Sequence, residues 1–386
     1  MREDFDYLKD GDIYVDTACQ SLRPKPVIDA LNEYYTNFNS CGERVKYPWG
    51  EKTEQKVEEA RKKVLKFLKL KPKDYFVSFT LNTTYGINLI LNQIDVKDFE
   101  KIVTSDIEHN SPFLSTLAFS KKNKIPREVI KRNEDGTIPA DVDFKNAIVV
   151  LNCVSNVDGR RLENLSEIVK KVHKEGGVIV VDGAQAMAHN SDILEKVQAD
   201  AICFSAHKMY APSLGVMVVR KDFLPKLNTS FIGGGMVDDV FRDEFKPSYD
   251  NPEKFYTKFE PGLQAFGEII AFSEAIDWLE NVPKKARKEF DGLCEQLFEF
   301  LDNQPKIKLL NKKPSAVISF YIDGIDSHLF GAALADEGIM VRTGYFCVHY
   351  YLSHEKNYPP LIRISLGLHN NQADIDKIIN VIRKAL

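Results

Sequence analysis

Two short stretches hold the residues with the most chemical promise. Val178–Val181 is apolar and β-branched and runs into Asp182, followed by Gly183-Ala184-Gln185. Ala201–Phe204 likewise runs into Ser205-Ala206-His207-Lys208. If both runs are strands of an open α/β sheet, their carboxyl ends face one crevice, which is where such sheets bind ligands. A lysine and an aspartate that meet there suit a pyridine aldehyde cofactor. The amine forms an imine with the aldehyde, and the carboxylate keeps the ring nitrogen protonated, so that the ring accepts electrons. Taken singly, Lys208 reads as a surface lysine and Asp182 as a turn or cap residue. The chemistry lies in the pair.

Other residues each admit two readings. Asn82-Thr83-Thr84 follows the strand-like run Phe76–Thr80 and opens a helix. Hydroxyls and free N–H groups at a helix start bind an anion such as phosphate, or simply cap the helix. Neither GxGxxG nor GxxxxGK[ST] occurs, and Gly233-Gly234-Gly235 has neither spacing. A phosphate at Thr83 and Thr84 therefore belongs to something other than a dinucleotide or ATP. His109, in Glu108-His109-Asn110-Ser111, stacks on a flat cofactor and shuttles protons, or is a hydrogen-bonded loop histidine. Asn156 donates to a ring oxygen or shapes a turn. Arg363 interrupts the apolar strand Leu361–Ser365 and needs a partner, either a substrate carboxylate or a structural acid. Cys347 ends Val341-Arg342-Thr343-Gly344-Tyr345-Phe346-Cys347, which reads as a loop after a strand. A loop thiol near an arginine is a reactive candidate. Cys153 and Cys203, inside apolar strands, read instead as small core residues.

The elements that must position these residues alternate. Short runs at Phe76–Thr80, Lys101–Thr104, Ala147–Leu151, Val178–Val181, Ala201–Phe204 and Val216–Val219 read as buried strands. Helical periodicity separates several of them, as in the segment from Val57 to Leu68, at Gly86–Leu91 and at Glu163–Lys174. This predicts a mostly parallel sheet with helices on both faces. The proline-rich stretch Lys246–Gly262 breaks the alternation. Beyond it, a long helix from Gln264, strands at Ala316–Tyr321, near Ile339–Arg342 and at Ile362–Leu366, a helix at Leu329–Asp336 and a last helix capped by Asn371 predict a smaller α+β unit. The expected division is an N-terminal arm (1–20) packing with the small domain, a large domain (21–250) and a small C-terminal domain (251–386).

Composition narrows the function. The 386 residues suffice for two or three domains of roughly 100–200 residues each. The net charge of −4 argues against a nucleic-acid binder. The six cysteines include no CxxC pair, so no metal ribbon is expected, and they read as reduced thiols. No basic, apolar leader opens the chain, and no apolar run approaches the roughly 18–20 residues of a membrane span. A cytoplasmic protein without a membrane or metal partner is expected.

In order and spacing these motifs together resemble the class V aminotransferase superfamily, and within it the cysteine desulfurases of the SufS-like type. The resemblance runs from Tyr14-Val15-Asp16-Thr17-Ala18 through Asn82-Thr83-Thr84, Glu108-His109-Asn110, Ser155-Asn156-Val157, Val181-Asp182-Gly183-Ala184-Gln185 and Phe204-Ser205-Ala206-His207-Lys208 to Arg342-Thr343-Gly344-Tyr345-Phe346-Cys347 and Arg363-Ile364-Ser365. It implies the aspartate-aminotransferase-like fold (fold type I), with pyridoxal 5'-phosphate as cofactor and L-cysteine as substrate. Lys208 is then the Schiff-base lysine and the acid/base at Cα, and Asp182 the partner of the pyridine nitrogen. Gln185 and Asn156 lie at the ring hydroxyl, and His109 stacks on the ring. Thr84, Ser205 and His207, helped by Thr83, hold the phosphate. Arg363 grips the substrate carboxylate, and Cys347 attacks the substrate sulfur. Alanine leaves and a persulfide stays on Cys347 for a sulfur-acceptor protein or scaffold, as in iron–sulfur cluster assembly. A homodimer is also implied. The related alternatives are a selenocysteine lyase, another C–S lyase, a transaminase, or a PLP-binding protein without activity. The chain departs from the family pattern at Leu263, where a phosphate-contacting threonine of the partner subunit is usual, at Asp158, and at Ala18-Cys19-Gln20, where Ala-Ala-Thr is usual.

Overall fold

The computed structural model describes residues 1–42 and 45–386. Its centre is a seven-stranded sheet in the order Tyr75–Thr80, Gly215–Arg220, Ala201–Ser205, Val178–Asp182, Ala147–Asn152, Lys101–Ser105, Arg127–Ile130. Gly215–Arg220 pairs antiparallel with both of its neighbours, and the remaining pairs are parallel. Six strands therefore share one direction and end on one edge.

The sequence explains why these runs lack polar alternation. Ile148, Val150, Val178, Val180 and Cys203 pack on one side of the sheet with Ile87 and Ile90 of the helix Thr83–Gln93. Val149, Leu151, Ile179, Val181, Ile202 and Phe204 pack on the other side. Both faces are buried, so successive side chains are all apolar. The expected α/β class with a mostly parallel sheet and flanking helices is what forms. The helix opens at Thr83, as expected of Asn82-Thr83-Thr84, because the Asn82 Oδ1 accepts from the Tyr85 N–H at 2.9 Å and caps it.

A second sheet of four strands runs Ile307–Leu309, Val317–Ile322, Leu361–Ser365, Arg342–Gly344, with antiparallel neighbours throughout. The run expected as one strand near Ile339–Arg342 is split. Ile339–Met340 pairs in parallel with Ile13–Tyr14 of the N-terminal segment, whereas Arg342–Gly344 joins the four-stranded sheet. The last helix, Gln372–Ala385, opens with a reciprocal capping box between Asn371 and Asp374. Its Ile375, Ile378, Ile379 and Ile382 are buried. The helix Phe266–Glu280 packs on Lys25–Asn37 and Pro48–Phe67.

Within the proline-rich stretch, Phe245–Pro247 pairs antiparallel with Val237–Val240, and 3₁₀ turns follow at Ser248–Asp250 and Pro252–Lys258. Phe231, Ile232, Val240, Phe241 and Leu263 are exposed in this part of the chain.

Candidate active site

The common edge of the large sheet gathers the candidate residues. Each lies just past the carboxyl end of a strand: Thr83 and Thr84 after Thr80, His109 after Ser105, Asn156 after Asn152, Asp182 and Gln185 on the next strand, and Ser205, His207 and Lys208 on the one beside it. Together with Arg363 and Cys347 they line one cavity of about 350 Å³. Every residue singled out as a site candidate therefore borders the same space. Gly215 permits this crowding, since a Cβ there would come within 2.3 Å of the Thr80 hydroxyl and 2.4 Å of the Asn82 nitrogen.

One end of the cavity is rich in hydroxyls. Ser205 Oγ accepts from the Thr83 N–H at 2.9 Å and lies 2.6 Å from Thr83 Oγ1. Thr84 Oγ1 lies 2.6 Å from Ser111 Oγ. His207 Nδ1 is buried and has no hydrogen-bond partner among the described residues. Burial lowers the His207 pKa to about 4, with Lys208 and Arg23 adding to the effect. At the centre, Asp182 Oδ1 accepts from the Ala184 N–H at 2.9 Å. Burial raises the Asp182 pKa, against the pull of that N–H and of Lys208. Burial likewise lowers the Lys208 pKa, while Asp182 opposes it. His109 Nδ1 accepts from the Ser111 N–H at 3.0 Å, so a single proton sits on Nε2. Burial, then Lys208 and Arg363, lowers the His109 pKa to about 3, and the ring is neutral at physiological pH.

The family model of the class-V aminotransferases matches residues 13–378. The chain belongs to the class-V aminotransferase family. A relative named "Probable cysteine desulfurase" from Pyrococcus abyssi is 30% identical, over 96% of this chain and 94% of that one. The apo cysteine desulfurase of Thermococcus onnurineus NA1 is 28% identical, with a TM-score of 0.85 over 97% of this chain and 94% of that chain. The Escherichia coli cysteine desulfurase CsdA shares the fold, with a TM-score of 0.88 over 100% of this chain and 97% of that chain at 23% identity.

In this class-V chain the opposite end of the cavity is cationic. Arg363, 3% exposed, donates from Nη1 to the Asn156 carbonyl at 3.0 Å and from Nη2 to Asp16 Oδ1 at 3.1 Å. Its Nε is buried without a partner among the described residues, and its guanidinium lies 4.8 Å from the Phe346 ring centroid. Burial lowers its pKa, and Asp16 opposes this. Asp16 also pairs with Arg342 at 2.8 Å. Both readings of Arg363 thus have a basis, since it holds a structural acid and its side chain also borders the cavity.

Cys347 is exposed on the loop that follows Arg342–Gly344. Gly344 starts that loop at φ +110, and Phe346 and Cys347 both occupy the left-handed region at φ +48 and +59. The Asn110 N–H donates to the Cys347 carbonyl at 2.6 Å, and Asn156 Nδ2 donates to the Phe346 carbonyl at 2.7 Å. Gln185 Nε2 donates to the Ala18 carbonyl at 2.7 Å, which ties the N-terminal segment to the same rim.

Sequence reasoning gave no role to Asp16, Cys19, Arg342 or Ser111, which border or brace this site. All four stand in stretches already singled out by motif, but the chain itself gives no sign that Asp16 bridges two arginines. Leu263 lies outside the cavity and is 76% exposed.

Proposed function

We infer that this protein is a pyridoxal-phosphate-dependent cysteine desulfurase, which converts L-cysteine to L-alanine and carries the sulfur as a persulfide on Cys347. One observation carries the reading: an exposed loop thiol borders the same cavity as Lys208, the buried Asp182 and Arg363. Transamination gives such a thiol no task, whereas sulfur transfer requires one.

The residues fit the cofactor. The unpartnered His207 Nδ1 and the hydroxyls of Thr83, Thr84 and Ser205 suit a phosphate. Lys208 would hold the aldehyde carbon, Asp182 the ring nitrogen, and Asn156 and Gln185 the ring hydroxyl, with the neutral His109 ring against the face. When bound, pyridoxal phosphate supplies an electron-accepting ring that makes the Cα proton of an attached amino acid acidic.

The chain's own groups do the rest. Arg363 binds the substrate carboxylate with a charge-assisted hydrogen bond and so turns the side chain toward Cys347. Burial lowers the pKa of free Lys208 and so favours its neutral amine, which removes the Cα proton. The Cys347 thiolate attacks the substrate Sγ, and the Cβ–Sγ bond breaks. Its electron pair goes to the carbon side, which after proton uptake leaves as alanine.

Wider expectations rest on the same reading. The exposed Phe231, Ile232, Val240, Phe241 and Leu263 support a homodimer. The net charge of −4 and the six unpaired cysteines support a cytoplasmic location. Among the described residues no helix is long and apolar enough to cross a membrane. The persulfide would pass to a sulfur-acceptor protein or scaffold, with iron–sulfur cluster assembly as its destination. The test is release of alanine and sulfide from L-cysteine by the purified holoenzyme with a reductant. Equal amounts of both support the reading, and bound cofactor without alanine refutes it.

A further inference from the structure

Two thiols, not one, face the cavity. Cys19 lines it together with Cys347. Cys153, Cys203 and Cys294 are buried, and burial raises their thiol pKa values and leaves them inert. Cys41 is exposed but borders a different cavity.

Cys19 is held by a cationic donor. Arg342 Nη2 donates to Cys19 Sγ at 2.8 Å. That guanidinium is fixed in turn by Asp16, which accepts from its Nε at 3.1 Å. A guanidinium that is itself anchored thus donates to this thiol and fixes where its sulfur lies. The segment is rigid as well. The Cys19 N–H donates to the Asp16 carbonyl at 3.1 Å, and Thr17 Oγ1 lies within hydrogen-bonding distance of the Ser365 and Leu366 carbonyls, at 3.0 and 2.8 Å. Cys347, by contrast, rides on a loop. A fixed thiol and a loop thiol at one cavity make a donor and receiver pair.

We propose that Cys19 is a second sulfur-carrying residue, which takes the terminal sulfur from the Cys347 persulfide. The proposal rests on the desulfurase reading. The Cys19 thiolate attacks the terminal sulfur of Cys347–S–SH. A Cys19–sulfur bond forms, the bond from Cys347 Sγ breaks, and Cys347 leaves as a thiolate. The sulfur keeps its proton and its oxidation state, so the exchange needs no external oxidant or reductant. Cys347 is then free for a second turnover before any acceptor arrives.

The test loads the holoenzyme with excess L-cysteine in the absence of an acceptor, quenches it with iodoacetamide and locates the extra sulfur by peptide mass spectrometry. The wild-type Cys19 peptide is expected to carry one additional sulfur. Cys19→Ala and Cys19→Ser should lower the sulfane sulfur per chain about twofold, because one of two exchange partners is gone. Cys347→Ala should leave both positions empty. A bare Cys19 in protein whose Cys347 is loaded overturns the proposal, and so does a loaded Cys19 in the Cys347→Ala variant. Cys347 and Cys19 both empty in the wild type overturns the desulfurase reading itself, and this proposal with it.

Discussion

Replacement of Arg363 by lysine separates the two tasks that this residue can have. The guanidinium donates from Nη1 to the Asn156 carbonyl and from Nη2 to Asp16, and each of these nitrogens carries a second N–H for a ligand in the cavity that Arg363 borders. A lysine ammonium keeps the charge but is a single point, without the fork that serves three partners at once. A hydrogen bond to a charged group contributes about 1.5–3 kcal/mol. Loss of one such bond to the substrate carboxylate therefore raises KM about 10- to 100-fold, since about 1.4 kcal/mol is a factor of ten. The fold should tolerate the change, because Asp16 stays paired with Arg342 at 2.8 Å and is not left as an orphaned charge. Alanine formation over a range of L-cysteine concentrations gives KM and kcat separately, and thermal melting of the same preparation reports stability. The expectation is a raised KM, a smaller change in kcat and a melting temperature close to wild type. A wild-type KM combined with a clearly lower melting temperature would refute the reasoning and make Arg363 a structural partner of Asp16 only.

Cys347→Ala is expected to retain the yellow bound cofactor and to bind L-cysteine, seen as a spectral change on titration, while forming no transferable persulfide; a persulfide formed by that variant removes Cys347 from its role. Lys208→Met should abolish turnover and raise the melting temperature of the cofactor-free protein at neutral pH. The folded state holds Lys208 below its ordinary pKa of 10.5, so the unfolded chain binds the proton more tightly. The gain is largest at low pH and fades as pH rises toward that value; a gain that grows with pH contradicts the argument. The His109 pKa falls from 6.5 to about 3 and the His207 pKa from 6.5 to about 4 on folding. Their contribution to stability is therefore complete above the ordinary histidine range and is lost as pH falls from about 6.5 toward 3. His109→Phe should flatten melting temperature against pH in that interval, and a curve that steepens would show that His109 is not the group responsible.

The large sheet is legible in the sequence because strands buried on both faces are unbroken β-branched runs, and Val178–Asp182 and Ala201–Ser205 are read almost to the residue. Lys208 and Asp182 stand out for the same reason, since polar groups that end such runs fall on one edge. The helix start at Thr83 is legible from Asn82-Thr83-Thr84, since it is set by the Asn82 cap and not by apolar periodicity. Less legible is the cationic wall. Asp16 and Arg342 are 326 residues apart, and their contact depends on how the N-terminal segment lies along the strand Leu361–Ser365, through the bridge between Asp16 and Ser365. The loop around Cys347 hides its geometry as well. Gly344 signals a turn, but nothing in Tyr345-Phe346-Cys347 announces two successive left-handed residues.

That loop explains how a thiol from one sheet serves a site built on the other. Left-handed φ at Phe346 and Cys347 costs roughly 1–2 kcal/mol for each residue. Solvent alone does not compensate this, and an isolated loop of this sequence relaxes to other conformations. The offset comes from across the cavity. Asn156 and the Asn110 N–H each donate to a carbonyl of the strained pair, and each such bond contributes about 0.5–1.5 kcal/mol. Arg363 over the Phe346 ring adds about 0.5–2 kcal/mol. Strain and docking are thus of similar size, so the loop keeps its shape only while it touches the residues around the cavity. Asn156 and Arg363, which the resemblance places on cofactor and substrate, also hold the residue next to the sulfur. The position of Cys347 is therefore set by the same groups that define the site, and a change in either of them moves the thiol as well as the ligand.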